Sequence, residues 1–152
     1  MNKRRLLITL MVFCLAVTGY SQKKVKPNSF QGAEANLKAY KALYVLNQPD
    51  DKKIRAVLRN INNALEDPRL KGKLQIELIA FGDGVEIYKK TNHYDTLLTA
   101  LQKKGVLLAQ CENTIRERHI DKEDLWPFIS YVPSGNGEII IRQYQGWAIV
   151  HP

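Results

Sequence analysis

The chain has 152 residues, 45% of them hydrophobic, so it is long enough for one domain with a substantial apolar core. Lysine and arginine number 23 and aspartate and glutamate 15, which gives a formal net charge of +8. The basic residues mostly alternate with acids, as in "ENTIRERHIDKED", and no stripe of arginine and aromatic residues appears. This pattern indicates a solvated basic surface and argues against a nucleic-acid-binding protein.

The N-terminus, "MNKRRLLITLMVFCLAVTGYSQKK", has the pattern of a secretory signal peptide. Basic residues precede an apolar run from Leu6 to Gly19, which is shorter than the roughly 20 residues of a membrane span. Cleavage after Ser21 would leave 131 of the 152 residues and lower the net charge from +8 to +5. We therefore predict a signal peptide at residues 1–21 and a mature protein that is periplasmic or secreted, without stable membrane association. An uncleaved anchor is the alternative.

Residues 22–36 are polar, contain proline and glycine and show no periodicity, so they predict a flexible leader ahead of one domain at residues 37–152. Cys14 lies in the apolar run behind Phe13, where a lipid-attachment cysteine would need a small residue, and it is expected to leave with the signal peptide. The mature chain then has one cysteine, Cys111, in a compartment that favours disulfides. Such a thiol is buried and inert, paired between chains, or used chemically.

Within the domain, segments typical of strands alternate with segments typical of helices. We predict five strands, at 39–47, 74–81, 106–110, 127–132 and 147–150, with one helix between each pair of consecutive strands. The first helix has the apolar stripe Ile54, Val57, Leu58, Ile61 and Leu65, and the second has the stripe Tyr94, Leu97, Leu98 and Leu101 and ends at Lys103, Lys104 and Gly105. The third is a short helix at 112–118, and the fourth has Ile140, Ile141 and Tyr144 on one face. The strands lack clean polar alternation, which is typical of sheets covered on both faces. The order predicts a three-layer α/β fold, with a mainly parallel five-stranded sheet and helices on both faces.

Three polar clusters follow predicted strands, at the sheet edge where ligands bind in open parallel sheets. They are Gly82-Asp83-Gly84, Cys111-Glu112-Asn113-Thr114 and Pro133-Ser134-Gly135-Asn136-Gly137. Their backbone N–H groups and polar side chains make the following residues candidates for ligand binding: Gly82, Asp83, Gly84, Asn113, Thr114, Ser134 and Gly135. The plainer alternative is that the glycines meet the needs of turns and that Asp83 is an exposed turn residue.

Cys111 is the candidate for chemistry. A thiol just before a helix start feels the positive end of the helix dipole, which favours the reactive thiolate. Thr114 and Glu117 fit a capping box, which would place Cys111 three residues ahead of the helix cap. The alternative is a small buried residue that completes the strand. Exposure of Cys111 would separate the two, because a thiol that transfers sulfur must be reachable.

Metal, cofactor and serine-hydrolase sites are not indicated. The histidines, His93, His119 and His151, are widely spaced and form no metal-binding motif. The chain has no G-x-S-x-G turn, because "PSGNG" lacks the first glycine.

Two long stretches, "GVLLAQCENTIRERHI" and "DLWPFISYVPSGNGEIIIRQYQGWAIVHP", resemble the C-terminal half of the DsrE/DsrF-like family of small sulfur-relay-type proteins. The likeness continues upstream through "VLRNINNAL" and "LQIELIAFGDGVEIY", and so covers roughly residues 38 to 152. The resemblance implies a flavodoxin-like sheet and assembly into homo-oligomers or with related subunits. It also implies that Cys111 matches the persulfide-carrying cysteine of the sulfur-transferring members. This chain departs from those members in its predicted export, since their relay is cytoplasmic.

Two functions from different classes therefore compete. The first is sulfur handling, with a persulfide on Cys111 and a sulfur donor or acceptor protein, or a small sulfane-sulfur ligand, as partner. The second is a non-enzymatic ligand-binding or assembly module with a structural cysteine. Large aromatic residues that could anchor a subunit interface are Tyr44, Tyr88, Tyr94, Tyr131, Tyr144, Trp126 and Trp147, although the core is the commoner place for each.

Overall fold

The computed structural model describes residues 29–152. Its compact unit is Glu34–Pro152, and residues 29–33 belong to a separate N-terminal unit. The predicted signal peptide and residues 22–28 of the predicted leader lie outside the described residues. Among the helices of residues 29–152, none is long and apolar enough to cross a membrane.

The predicted elements are present, with changes at their ends. In the described part of the chain the main elements are β1 (Tyr40–Leu46), α1 (Asp51–Glu66), β2 (Leu74–Ala80), a 3-10 segment (Gly82–Tyr88), α2 (Asp95–Lys103), β3 (Leu107–Cys111), α3 (Glu112–Glu117), β4 (Ser130–Val132), α4 (Gly135–Tyr144) and β5 (Ala148–Val150). The strand predicted at 127–132 begins only at Ser130, because Pro127 and Phe128 form a turn. The 3-10 segment was not predicted.

The first helix shows how local sequence sets an element. The Asp50 side chain accepts a hydrogen bond from the backbone N–H of Lys53 at 2.9 Å, which caps the start of α1. Four residues of the predicted stripe, Ile54, Val57, Leu58 and Ile61, are buried against the sheet. The helical spacing in the sequence therefore identified the face that packs on the core.

All five strands are parallel and lie in the order β4-β3-β2-β1-β5. From β1 to β4 each crossover moves the chain one position in the same direction, and the last crossover returns it to the far side of β1. Because such crossovers are right-handed, the first three place their helices on one face and the fourth places α4 on the other. The predicted α/β fold is confirmed, with a flavodoxin-like three-layer arrangement.

Two apolar clusters fill the two faces of the sheet. The larger contains Ile54 of α1, Leu98 of α2 and Ile115 of α3, so these helices share one face. The smaller contains Ile79 of β2, and Ile139 of α4 packs against it. One face is therefore covered by three helices and the other mainly by α4.

A carboxylate is buried beneath α4. Glu77 of β2 is only 2% exposed, and its carboxylate lies 2.6 Å from the guanidinium of Arg142. Arg142 also pairs with Glu138 at 2.7 Å and lies over the Trp147 ring at 4.3 Å. Burial raises the pKa of Glu77, and the attraction of Arg142 offsets that rise only in part.

The outward side of α4 carries exposed apolar residues. Ile140, Ile141 and Tyr144 are all exposed, and Tyr144 is 90% exposed. Their spacing correctly predicted the helix, but nothing within residues 29–152 buries this face. Ile139 and Arg142 occupy the inward positions instead.

Candidate functional site at the carboxyl ends of β3 and β4

Cys111 is the last residue of β3 and the N-cap residue of α3, so its predicted place at a strand's carboxyl end is confirmed. It is in register with Val132, the last residue of β4. From these neighbouring strands the chain departs to opposite faces, to α3 on one side and to α4 on the other. In open α/β sheets such a divergence leaves a crevice at the carboxyl ends, which is where ligands bind.

The predicted capping box is wrong. α3 begins at Glu112, so Cys111 itself is the cap residue and Thr114 lies inside the helix. The Thr114 hydroxyl is used in a tertiary contact, because its Oγ1 accepts a hydrogen bond from the backbone N–H of Gly82 at 2.9 Å. Thr114 and Glu117 have the spacing of a capping box, but the N–H group that bonds to Thr114 belongs to Gly82, after β2, and not to the helix.

Cys111 is buried, with 5% of the residue's surface exposed. It is in phase with Ala109 along β3, which places it on the α4 face. The exposure expected of an open relay thiol is therefore absent from this arrangement. In this arrangement Cys111 is therefore largely shielded from a reactant in solution.

A residue that the sequence reasoning missed lies beside it. Gln110 is fully buried, and its Nε2 donates a hydrogen bond to the backbone carbonyl of Cys111 at 3.1 Å. Its Oε1 has no hydrogen-bond partner among residues 29–152. Successive strand residues point to opposite faces, so Gln110 supports the backbone of Cys111 rather than the thiol. The sequence feature that could have identified Gln110 is its position as the single amide in the otherwise apolar stretch "VLLAQ".

The Gly82-Asp83-Gly84 cluster is engaged in packing. Gly82 has a φ of +53°, which favours glycine, and its N–H is bonded to Thr114. A Cβ on Gly84 would lie 2.2 Å from the carbonyl oxygen of Leu46, so only glycine fits there. Asp83 forms an ion pair with Arg118. Turn geometry, close packing and an ion pair thus engage Gly82, Gly84 and Asp83 respectively.

The loop before α4 reaches the same edge of the sheet. The Ser134 side chain caps α4 by accepting the backbone N–H of Gly137 at 3.2 Å. A Cβ on Gly135 would lie 2.9 Å from Cβ of Phe81, which follows β2, so the start of α4 packs closely on the end of β2, on the other side of β3 from β4. The N–H groups of Gly135 and Asn136 have no intrahelical acceptor, as at any helix start.

Polar and charged side chains lie near the carboxyl ends of β3 and β4. The Asn113 side-chain carbonyl accepts from Arg116 at 2.8 Å, which leaves its amide N–H groups to donate. Lys122 pairs with Glu112 at 2.7 Å and lies 4.2 Å from the centre of the Tyr131 ring. The hydrogen bond with Glu112 raises the pKa of Lys122, so this cation stays charged beside the strand ends.

Within residues 29–152 no group of three or more histidine, cysteine, aspartate or glutamate side chains comes together to hold an ion.

Solved structures that are similar to this chain include two proteins of unknown function. One is protein MTH1491 from Methanobacterium thermoautotrophicum, with a TM-score of 0.70, 29% identity and coverage of 74% of this chain and 99% of that one. The other is protein BT1422 from Bacteroides thetaiotaomicron, with a TM-score of 0.58, 13% identity and coverage of 74% and 94%, a likeness of fold alone. No curated protein matches this chain significantly.

The model of the DsrE/DsrF-like family matches residues 40–152, which contain every element described above. The chain therefore belongs to the DsrE/DsrF-like family.

Proposed function

We propose that this protein carries sulfane sulfur as a persulfide on Cys111. The observation that carries the proposal is the place of Cys111, at the carboxyl end of β3 where the neighbouring strand sends the chain to the opposite face. This is a binding crevice by the general rule for open parallel sheets. Membership of a family with sulfur-relay members, whose persulfide cysteine Cys111 matches in the resemblance above, points the same way.

The transfer step needs no cofactor. The Cys111 thiolate attacks the outer sulfur of a donor persulfide, so a sulfur–sulfur bond forms at Cys111 while the donor's sulfur–sulfur bond breaks. The donor leaves as a thiolate that takes up a proton, and there is no net oxidation. An acceptor thiolate then attacks the outer sulfur of the Cys111 persulfide, and Cys111 leaves as a thiolate.

Groups at the crevice suit a sulfur anion. The first-turn N–H groups of α3 follow Cys111 directly in the chain and lack intrahelical acceptors, and the thiol does not bond to them in this arrangement. The Asn113 amide and the Ser134 hydroxyl retain hydrogens to donate, because their oxygens accept the bonds already described. Burial of the thiol would protect a bound persulfide from water and from stray thiols, and it makes transfer depend on local opening.

Alkylation and mass measurement test the proposal. A Cys14→Ser background leaves Cys111 as the sole thiol of the full chain. We expect alkylation near neutral pH, at a rate set by opening and thiolate fraction, and a gain of one sulfur after incubation with a polysulfide. Cys111→Ser in the same background is the matched control and should abolish both. A thiol that reacts only in denaturant and gains no mass contradicts sulfur carriage.

A second candidate is an assembly module with a structural cysteine. Two observations favour it: the burial of Cys111 and the exposed apolar face of α4 formed by Ile140, Ile141 and Tyr144. Contact between copies through this face would remove these side chains from water. Light scattering should show an oligomer that Ile141→Lys dissociates, whereas the same change at exposed Leu37 should not. A monomer at high concentration would rule out self-assembly.

We also propose that the protein is exported, from the basic and apolar pattern of its first 21 residues. N-terminal sequencing of protein from the native host should find a start near Gln22. Met1 retained in a soluble cytosolic fraction would contradict export.

A further inference from the structure

α1 and α2 are joined by side-chain hydrogen bonds near both of their ends and together line a groove. At the first end the Tyr94 hydroxyl donates to the Asp51 carboxylate at 2.7 Å. At the other end Lys104 Nζ donates to Asn62 at 2.7 Å and to Glu66 at 2.8 Å. Between these contacts lies a groove of about 260 Å³.

The groove is apolar inside. Its lining includes Leu58 and Leu101, which are buried, and Ala100 and Leu97, which face solvent. Leu97 is 42% exposed although it belongs to the apolar stripe of α2. An apolar ligand in this groove would cover Leu97 and remove its surface from water.

Two arginines of α1 line the same groove. Arg55 is held by Asp51 at 3.0 Å and lies over the Tyr94 ring at 5.3 Å. Arg59 makes no hydrogen bond or ion pair with any residue of the described chain, which leaves its guanidinium for a ligand. The acids at the two ends of the groove, Asp51 and Glu66, already pair with Arg55 and Lys104.

We propose that this groove binds a small monocarboxylate with an unbranched or aromatic apolar body, whose carboxylate pairs with Arg59. A guanidinium binds a carboxylate through two parallel hydrogen bonds, and the apolar lining suits the rest of the molecule. The volume lies just below the usual range for ligand pockets and equals the share of roughly nine water molecules, so the ligand is small. The site lies between two helices and does not depend on chemistry at Cys111.

Octanoate, with about ten non-hydrogen atoms, is the probe, titrated into the full-length chain and followed by amide chemical shifts in NMR. We expect saturation with a dissociation constant of about 0.1–1 mM, and shifts concentrated in α1 and α2. Octanol lacks the charge and acetate lacks the apolar body, so each should bind at least about fivefold more weakly. Cys111→Ser should leave octanoate binding unchanged, which separates this site from the proposed sulfur chemistry.

Variants assign the ligand's contacts. Arg59→Gln should weaken octanoate at least about fivefold, because the bidentate partner is lost. Lys52→Gln makes the same charge change on α1 outside the groove and should have no effect. Leu97→Glu should abolish binding by placing a carboxylate in the apolar wall.

Four results would overturn the proposal. They are the absence of saturation by about 10 mM octanoate, equal binding of octanol, unchanged affinity in Arg59→Gln, and shifts spread over the whole surface. Concentration-dependent shifts of the same residues without ligand would instead identify the groove as a contact between copies of the chain.

Discussion

Replacement of Gly84 by alanine tests whether the first polar cluster is a packing device. The new Cβ would lie 2.2 Å from the carbonyl oxygen and 2.7 Å from the carbonyl carbon of Leu46. Ordinary carbon–oxygen contacts begin near about 3.3 Å, so β1 and the 3-10 segment must move apart by roughly 1 Å. The obstacle is backbone at the end of a central strand, which no rotamer change can relieve.

We expect Gly84→Ala to lower the free energy of unfolding by about 3 kcal/mol, at the upper end for overpacked cores. For a domain of this size that corresponds to a fall in melting temperature of roughly 10–18 °C. Urea and thermal unfolding followed by circular dichroism measure both quantities.

Gly72→Ala is the control, because it separates backbone strain from steric overlap. Gly72 has a φ of +76°, but a Cβ there would meet no heavy atom within 4 Å. Alanine should therefore cost only the left-handed strain of about 1–2 kcal/mol. If Gly84→Ala destabilises the protein no more than Gly72→Ala does, the packing argument is refuted.

Three further changes test single interactions. Thr114→Val should cost about 1–3 kcal/mol by leaving the Gly82 N–H without its acceptor, and Thr114→Ser should restore most of this; equal unfolding curves for the two variants would refute the bond's role. Glu77→Gln tests a buried charge. Because burial raises the pKa of Glu77 above its unfolded value, the contribution of Glu77 to stability is greatest below the unfolded value of about 4.3 and falls as pH rises through the folded pKa. The variant lacks this fall, so its stability relative to wild type should grow with pH in urea titrations, and a constant difference would contradict the argument. Arg142 keeps an amide acceptor in the variant. Asp50→Ala removes the cap of α1 and should lower the free energy of unfolding by about 1 kcal/mol, measured by thermal unfolding. An unchanged free energy of unfolding would show that the cap does not stabilise the protein.

The sequence predicted the order of strands and helices because each element carries its own periodic signal. The stripe from Ile54 to Ile61 is the buried face of α1, and the glycine at Gly105 follows α2 with a φ of +88°. The same reasoning placed Cys111 at the end of a strand, since the apolar run stops there. These features depend on residues within a few positions of one another.

Contacts between distant segments were not predictable in this way. Thr114 and Glu117 match a capping box, but Oγ1 of Thr114 accepts a hydrogen bond from the backbone N–H of Gly82, a residue 32 positions earlier. The periodic residues Ile140, Ile141 and Tyr144 identified a helix but not its buried side. That side is set partly by Glu77, whose buried carboxylate draws Arg142 of α4 toward the sheet.

For the candidate site, too, local features were predictable from the sequence and tertiary contacts were not. By itself the sequence determined that one cysteine lies between an apolar strand and a short helix, because the apolar run and the polar residues after it are local signals. Only the tertiary structure decided that Cys111 lies beside Val132, where the chain leaves to opposite faces, since strand order depends on crossovers that span the domain. It also decided that Cys111 is only 5% exposed, because burial comes from neighbours that the other strands and helices bring to it.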